Sequence, residues 1–150
     1  MNLDPFAFLA DPDLIQVLNK HSIEISCGAD QVLFRQGDAP VGLYILHKGE
    51  VTLSHTAPTT WEVNTIQVLP GSVLGLPGLV GNRPYTLTAI ARADARLSFI
   101  TRSHFDIILQ HDSLLAIKVT QVLAAEVHTA RQGVLEFHPA ANGSSLTPPD

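Results

Sequence analysis

The stretch LFRQGDAPVGLYILHKGEVTLS, Leu33–Ser54, alternates short apolar runs with glycine. Gly37 and Gly49 each lie between two such runs, where a tight turn requires the positive φ that glycine adopts at little steric cost. The runs on either side of Lys48-Gly49 are short and mostly apolar, as two strands around a turn would be. The stretch therefore predicts two strands around this turn, preceded by a further turn and a further strand.

A two-residue period continues on both sides of this pair of strands. SIEIS and QVLF precede it, and WEVNTIQVL and YTLTAIARADARLSFIT follow it, the last divided by a turn at Ala93-Asp94. In WEVNTIQVL we expect Val63, Ile66 and Val68 to enter the core. The pattern predicts about seven or eight short strands separated by Gly, Asp and Pro, which is typical of sandwiches and barrels.

Helical signals flank the strands at both ends. Asp4-Pro5 and Asp11-Pro12 each combine an N-cap residue with proline at the first helical position, so short helices are predicted at the N-terminus. The second of these helices has an apolar face, formed by Leu14, Ile15, Val17 and Leu18.

The helical period returns after Thr101. A short helix is predicted to end near Gln110, and Asp112 or Ser113 begins a long helix that continues to about Phe137. At 1.5 Å per residue this helix is about 37 Å long. We expect one domain over residues 1–137, in which residues 113–137 form the long helix, and a disordered tail, rich in small residues and proline, over residues 138–150.

The long helix carries two apolar faces. One face, with Leu115, Val119 and Val122, is expected against the strands. The other has the 4-3-4-3-4-3 spacing of a coiled-coil seam, with Ala116, Thr120, Leu123, Val127, Ala130, Val134 and Phe137. We predict a homodimer through a parallel helix pair, with its seam at Leu123, Val127, Ala130 and Val134; the alternative is that the seam packs on its own domain.

Composition excludes several classes of function. The chain has 150 residues, enough for one domain, and a net charge of −5 without a basic stripe, which argues against nucleic-acid binding by this chain alone. No secretory signal and no apolar run of membrane-spanning length is present, so we expect a cytoplasmic protein that does not enter a membrane.

Chemically reactive residues form no recognisable motif. Cys27 is the only cysteine, which leaves no pair for a disulfide or a metal site, and we expect a buried, inert thiol. The seven histidines show no HxxxH pair, and no metal site is predicted. No Ser/His/Asp arrangement or nucleophile elbow is present, and we therefore expect no enzyme activity.

The order of elements, together with Leu33–Ser54, resembles the cyclic-nucleotide-binding domain of the catabolite-activator and fumarate-nitrate-regulator family. The matching features are Phe34, Gly37, Asp38, Leu43-Tyr44-Ile45, Gly49, Gly71 and Gly75. The resemblance implies a mainly β fold: an eight-stranded, jelly-roll-like β-roll with short N-terminal helices and a long C-terminal helix. The family's helix-turn-helix is not expected in the short tail, so the chain is interpreted as a stand-alone sensor domain or a regulator without its DNA-binding domain.

The resemblance also implies a phosphate-binding cassette over residues 75–86. In the family this cassette starts with Gly-Glu, forms a one-turn helix and ends with Arg-Ser/Thr. Here Gly75 matches, but Leu76 stands at the Glu position, followed by Pro77, and Tyr85 and Thr86 stand at the Arg and Ser/Thr positions. Leu76 cannot accept a ribose hydrogen bond, and a buried phosphate without a cation is costly.

Two further sets of residues enter the expected ligand site. Arg83 lies two positions before Tyr85 and is the alternative cation, and Thr129 and Ala130 lie on the long helix where the family contacts the base. We expect a pocket lined by Leu76, Leu79, Val80 and Tyr85.

Together these features predict a regulatory sensor domain with a degenerate cassette and no cofactor. It would bind a non-standard small molecule or a protein partner. The alternatives are a genuine cAMP sensor that uses Arg83, an interaction module whose roll is packed solid, and a transcription regulator that lacks its DNA-binding domain.

Overall fold

Two antiparallel sheets form the centre of the fold in the computed structural model, which describes residues 3–92 and 94–120. Within these residues there are eight strands: β1 Ile23–Ser26, β2 Gln31–Phe34, β3 Gly42–Lys48, β4 Val51–Thr56, β5 Val63–Val68, β6 Val73–Leu74, β7 Thr88–Ala91 and β8 Arg96–Thr101. The first sheet has the order β1-β8-β3-β6 and the second has the order β2-β7-β4-β5. The predicted mainly β fold with eight strands is therefore confirmed.

Short helices precede, interrupt and follow the strands. A 3₁₀ turn spans Pro5–Phe8, α1 spans Pro12–Asn19, α2 spans Leu76–Gly81 and α3 spans Arg102–His111. Residues 113–120 are also helical. None of the helices among the described residues is long and apolar enough to cross a bilayer.

The predicted helix caps are confirmed at three aspartates. The Asp4 carboxylate accepts a hydrogen bond from the Phe6 amide at 3.0 Å, and Asp11 accepts one from Asp13 at 2.7 Å. Asp112 accepts from the Leu115 amide at 3.0 Å, at the start of the helical segment 113–120. Each cap satisfies an amide that has no partner within its own helix.

Apolar side chains collect in two clusters on opposite faces of the first sheet. The inner cluster lies between the two sheets and includes Phe34, Tyr44, Leu46, Leu53, Tyr85 and Leu97. The outer cluster lies between the first sheet and the helices and includes Leu14, Leu18, Leu43, Ile45, Phe105, Leu115 and Val119. β3 is apolar throughout its first five residues because its alternating side chains enter one cluster or the other.

One core prediction is wrong and several others fall outside the described residues. Val68 is buried and Ile66 is partly buried, but Val63 is 58% exposed. Strand side chains alternate between faces, so residue 63 cannot share the face of residues 66 and 68. Several predictions concern residues outside the described part of the chain. These are the tail over residues 138–150, the long helix beyond residue 120, Thr129, and the seam residues Leu123, Val127, Ala130 and Val134.

Candidate functional site

The predicted turn and one-turn helix at the start of the cassette are present. Gly75 has φ +89° and is the N-cap of α2, and Pro77 lies in the first helical turn. A Cβ at Gly75 would lie 3.1 Å from the Gly42 carbonyl oxygen and 3.2 Å from Cε1 of Tyr85. Glycine is therefore favoured at position 75 for two reasons: the backbone is left-handed there, and the Tyr85 ring approaches it closely.

Tyr85, which the sequence comparison predicts at the arginine position, is buried inside the roll and is only 4% exposed. Its hydroxyl donates to the Gly42 carbonyl at 2.9 Å and accepts from the amides of Val41 at 3.0 Å and Gly42 at 3.3 Å. Its ring stacks on Phe34, with centroids 4.1 Å apart and planes inclined by 22°. The phenol thus has three hydrogen bonds, the full complement of one donor and two lone pairs.

The backbone around Tyr85 fixes where its side chain lies. The Tyr85 amide donates to the Asp38 carbonyl at 2.9 Å, and the Gly37 amide donates to the Tyr85 carbonyl at 2.8 Å. A little further along, the Gln36 amide donates to Oγ1 of Thr88 at 2.9 Å. These hydrogen bonds hold residues 85–88 alongside residues 36–38, and this pairing directs the Tyr85 side chain into the roll.

A small cavity of about 30 Å³, called here the roll cavity, lies beside Tyr85. It has room for about one or two water molecules and not for a nucleotide. The predicted cassette residues Gly75, Pro77, Tyr85 and Thr86 line it. The other lining residues are Phe8, Phe34, Leu53, Leu74, Gly78 and Leu87, so no lining residue carries a positive charge.

The expected pocket lining is wrong in three of its four residues. Leu76 and Leu79 are buried in the outer cluster, and Val80 is 41% exposed; of the four, only Tyr85 borders the roll cavity. Residues three apart on a helix share a face, and in α2 that face packs on the outer cluster. Pro77 and Gly78 therefore face the roll instead.

Arg83 lies on the surface and does not border the roll cavity. The Arg83 amide donates to the Gly78 carbonyl at 3.0 Å, and its Cγ and Cδ lie 3.7 Å from where a Cβ on Gly81 would be. The side chain therefore runs over the end of α2 and away from the interior. Among the described residues, no side-chain hydrogen bond or ion pair holds it there.

Two aromatic residues that the sequence did not assign to the site border the roll cavity. Phe8, from the 3₁₀ turn, borders the roll cavity, and Phe34 stacks on Tyr85. Tyr44 is a further aromatic residue of the inner cluster. Its ring centroid lies 4.8 Å from that of Phe99, and its hydroxyl donates to the Leu33 carbonyl at 3.3 Å. Burial raises the pKa of Tyr44, and nearby Tyr85 raises it further.

Three further observations concern reactive groups near the inner cluster. Cys27 is buried, as expected, and burial raises the pKa of its thiol, which keeps it protonated and unreactive. Nδ1 of His55, two residues after Leu53 on β4, is buried without a hydrogen-bond partner in the described chain, and burial lowers the pKa of His55. No group of three or more potential metal ligands occurs among the described residues.

The family model described as "Cyclic nucleotide-binding domain" matches residues 24–112. This chain belongs to the cyclic nucleotide-binding domain family. The match extends from β1 to the end of α3, so it includes both sheets, the cassette and Tyr85. No curated protein matches the chain significantly.

Solved structures share the fold of this cyclic nucleotide-binding domain. The Catabolite Activator Protein of Thermus thermophilus has a TM-score of 0.73 at 20% identity, over 89% of this chain and 63% of its own. A cyclic nucleotide-binding domain from Methylobacillus flagellatus has a TM-score of 0.70 at 18% identity, over 87% of this chain and 76% of its own.

A third solved structure is the N-terminal domain of a transcriptional regulator from Streptomyces coelicolor A3(2). It has a TM-score of 0.62 at 23% identity, over 86% of this chain and 89% of its own. The cyclic nucleotide-binding domain thus spans less than two thirds of the Thermus protein but most of this single-domain structure.

Proposed function

We propose that this chain is a regulatory domain of the cyclic nucleotide-binding fold whose cassette does not take cAMP or cGMP in the family's usual way. The burial of Tyr85 at the expected arginine position carries the proposal. A cyclic nucleotide would place a phosphate charge beside a neutral phenol and apolar side chains, and an unpaired buried charge is strongly disfavoured. The phenol also fills the space that a ligand would need.

The remaining parts of the proposal are the predictions made from the sequence. The domain acts without a cofactor or a reaction of its own. It regulates through a protein partner or a non-standard small molecule and does not bind nucleic acid by itself. Its cytoplasmic location stays a prediction.

A genuine cAMP sensor is the second candidate, and the exposure of Arg83 favours it. This arginine is free of ion pairs among the described residues and follows α2 directly. A rotation of its side chain towards the roll would bring a cation to the cassette. Tyr85 would have to leave the interior at the same time, because the roll cavity beside it is only about 30 Å³.

The test is calorimetry and thermal unfolding with cAMP, cGMP and c-di-GMP on the wild-type chain and on Arg83→Ala. We expect no saturable heat and no shift in Tm with any of them. A ligand at 100 times its Kd would stabilise the domain by about 2.7 kcal/mol, which is readily detected. The matched control is Arg35→Ala, which removes another exposed arginine. A Tm shift with cAMP that is lost in Arg83→Ala but kept in Arg35→Ala would establish the second candidate.

A further inference from the structure

We propose that the roll contains a binding site for an uncharged phenol and that the Tyr85 side chain of the same chain is its permanent occupant. The inference rests on the proposed function, because a roll that admits a cyclic nucleotide cannot also keep Tyr85 inside. The inference goes beyond the proposed function in two ways. It assigns a ligand class to the site in the roll, and it makes the occupancy of that site independent of any small molecule.

The Tyr85 ring lies between an aromatic side chain and the cassette backbone, in surroundings that suit a bound aromatic ligand. Phe34 stacks against it at 4.1 Å between ring centroids. The cassette backbone approaches closely, since a Cβ would lie 3.2 Å from the ring at Gly75 and 3.6 Å at Gly78. The two glycines leave room for a flat ring, so the cassette is shaped to hold the phenol.

The polar end of the phenol meets three backbone groups at the start of β3. The amides of Val41 and Gly42 donate to the hydroxyl at 3.0 and 3.3 Å, and the Gly42 carbonyl accepts its proton at 2.9 Å. A purely apolar ring would leave these groups without a partner, and a phosphate would find no cation. The matching ligand is therefore a neutral aromatic ring with one hydroxyl.

Tyr85 links three parts of the fold. It touches Phe34 at the end of β2, the first residues of β3 and the glycines of the cassette. Because the phenol is covalently attached, its local concentration is fixed and no free ligand is needed to fill the site. The cassette is thus held against β3 in the absence of any signal.

The experiment removes the occupant and supplies it again from solution. We expect Tyr85→Ala to lower Tm by about 10 °C, since it deletes a buried aromatic side chain. Addition of p-cresol at millimolar concentration should raise the Tm of this variant in a saturable way, as small aromatics fill engineered cavities. Toluene, which lacks the hydroxyl, should raise it less, and the wild-type chain should respond to neither compound.

A second variant tests the hydroxyl contacts without opening a cavity. Tyr85→Phe keeps the ring and removes the three hydrogen bonds, so amide exchange at Val41 and Gly42 should accelerate by about tenfold or more. Tyr44→Phe is the matched control: it removes the hydroxyl of the other tyrosine, which donates to the Leu33 carbonyl, and should leave those two amides unchanged. This arm remains informative if Tyr85→Ala does not fold.

The outcomes separate this inference from the proposed function. Equal responses of the wild-type chain and Tyr85→Ala to p-cresol, or unchanged exchange at Val41 and Gly42 in Tyr85→Phe, would overturn the phenol site alone. Saturable cAMP binding by Tyr85→Ala but not by the wild-type chain would overturn the ligand class and leave the proposed function standing. Binding of cAMP by the wild-type chain would overturn both.

Discussion

Gly42, the first residue of β3, is the single residue on which the contacts of Tyr85 depend most directly. A Cβ at this position would lie 2.3 Å from the Ile100 carbonyl oxygen and 2.5 Å from Cε1 of Phe99. Both the amide and the carbonyl of Gly42 are bonded to the Tyr85 hydroxyl. Any side chain here would push β3 away from β8 and move the groups that hold the phenol.

The change Gly42→Ala should therefore destabilise the fold by about 2–3 kcal/mol, as overpacking against fixed backbone does. The matched control is Gly28→Ala, because a Cβ at Gly28 has no heavy atom within 4 Å. That substitution should be neutral or should stabilise by up to about 1 kcal/mol, since it restricts the unfolded chain. Urea unfolding of the two variants checks the difference, and equal midpoints would contradict the packing seen at β3.

Among the secondary-structure elements, α1 and the helical segment 113–120 are joined by charge as well as by apolar contact. The Lys118 ammonium lies 2.9 Å from Oδ2 of Asp11 and 3.9 Å from Oδ2 of Asp13, and its side chain is only 16% exposed. Asp11 also caps α1. Leu115 and Val119 pack in the outer cluster, so the segment is held on the side predicted to face the strands.

This junction predicts an acid dependence of stability. The hydrogen bond from Lys118, and then that from the Asp13 amide, lowers the pKa of Asp11 below its usual 3.8. Because the folded-state pKa lies below the unfolded one, the stabilisation is fully present above about pH 4 and is lost as the pH falls through the folded-state pKa. Urea midpoints measured across this range should fall less steeply in Lys118→Met than in the wild-type chain.

Lys48→Met is the control for that experiment, since Lys48 is exposed at the end of β3 and has no ion pair among the described residues. Its acid profile should match that of the wild-type chain. If Lys118→Met also keeps the full wild-type slope, the pair with Asp11 does not contribute to folding in solution.

Local signals in the sequence predicted the elements, but contacts between distant residues decided the candidate site. The Asp-Pro caps, the two-residue period and the turn glycine at 49, which has φ +86°, are properties of neighbouring residues, and they were predicted correctly. Which face of α2 points into the roll depends on how the helix packs against the outer cluster. The sequence therefore wrongly assigned Leu76 to the ligand pocket, whereas it packs in the outer cluster. The position of Tyr85 depends on backbone pairing with residues 37 and 38, which lie far away in the sequence.

For the molecule as a whole, the two clusters leave one group of large apolar side chains uncovered on the helical side. Ile107 on α3 and Leu114 and Ile117 on the segment 113–120 are 56%, 57% and 58% exposed. Leu115 and Val119 of the same segment are buried, so the segment has apolar residues on more than one side. A helix with a second apolar face is typical of one that also packs against a partner.

The predicted homodimer rests on the heptad spacing that runs from Ala116 to Phe137, which does not include Leu114 or Ile117. We expect the chain to sediment at twice its mass of 16.2 kDa at micromolar concentration. Val127→Glu places a charge in the predicted seam and should shift the equilibrium to the monomer, because a buried unpaired charge opposes coiled-coil pairing. Gln132→Glu adds the same charge outside the 4-3 spacing and should leave the dimer intact. A wild-type chain that sediments as a monomer, or equal dissociation of the two variants, would contradict the seam.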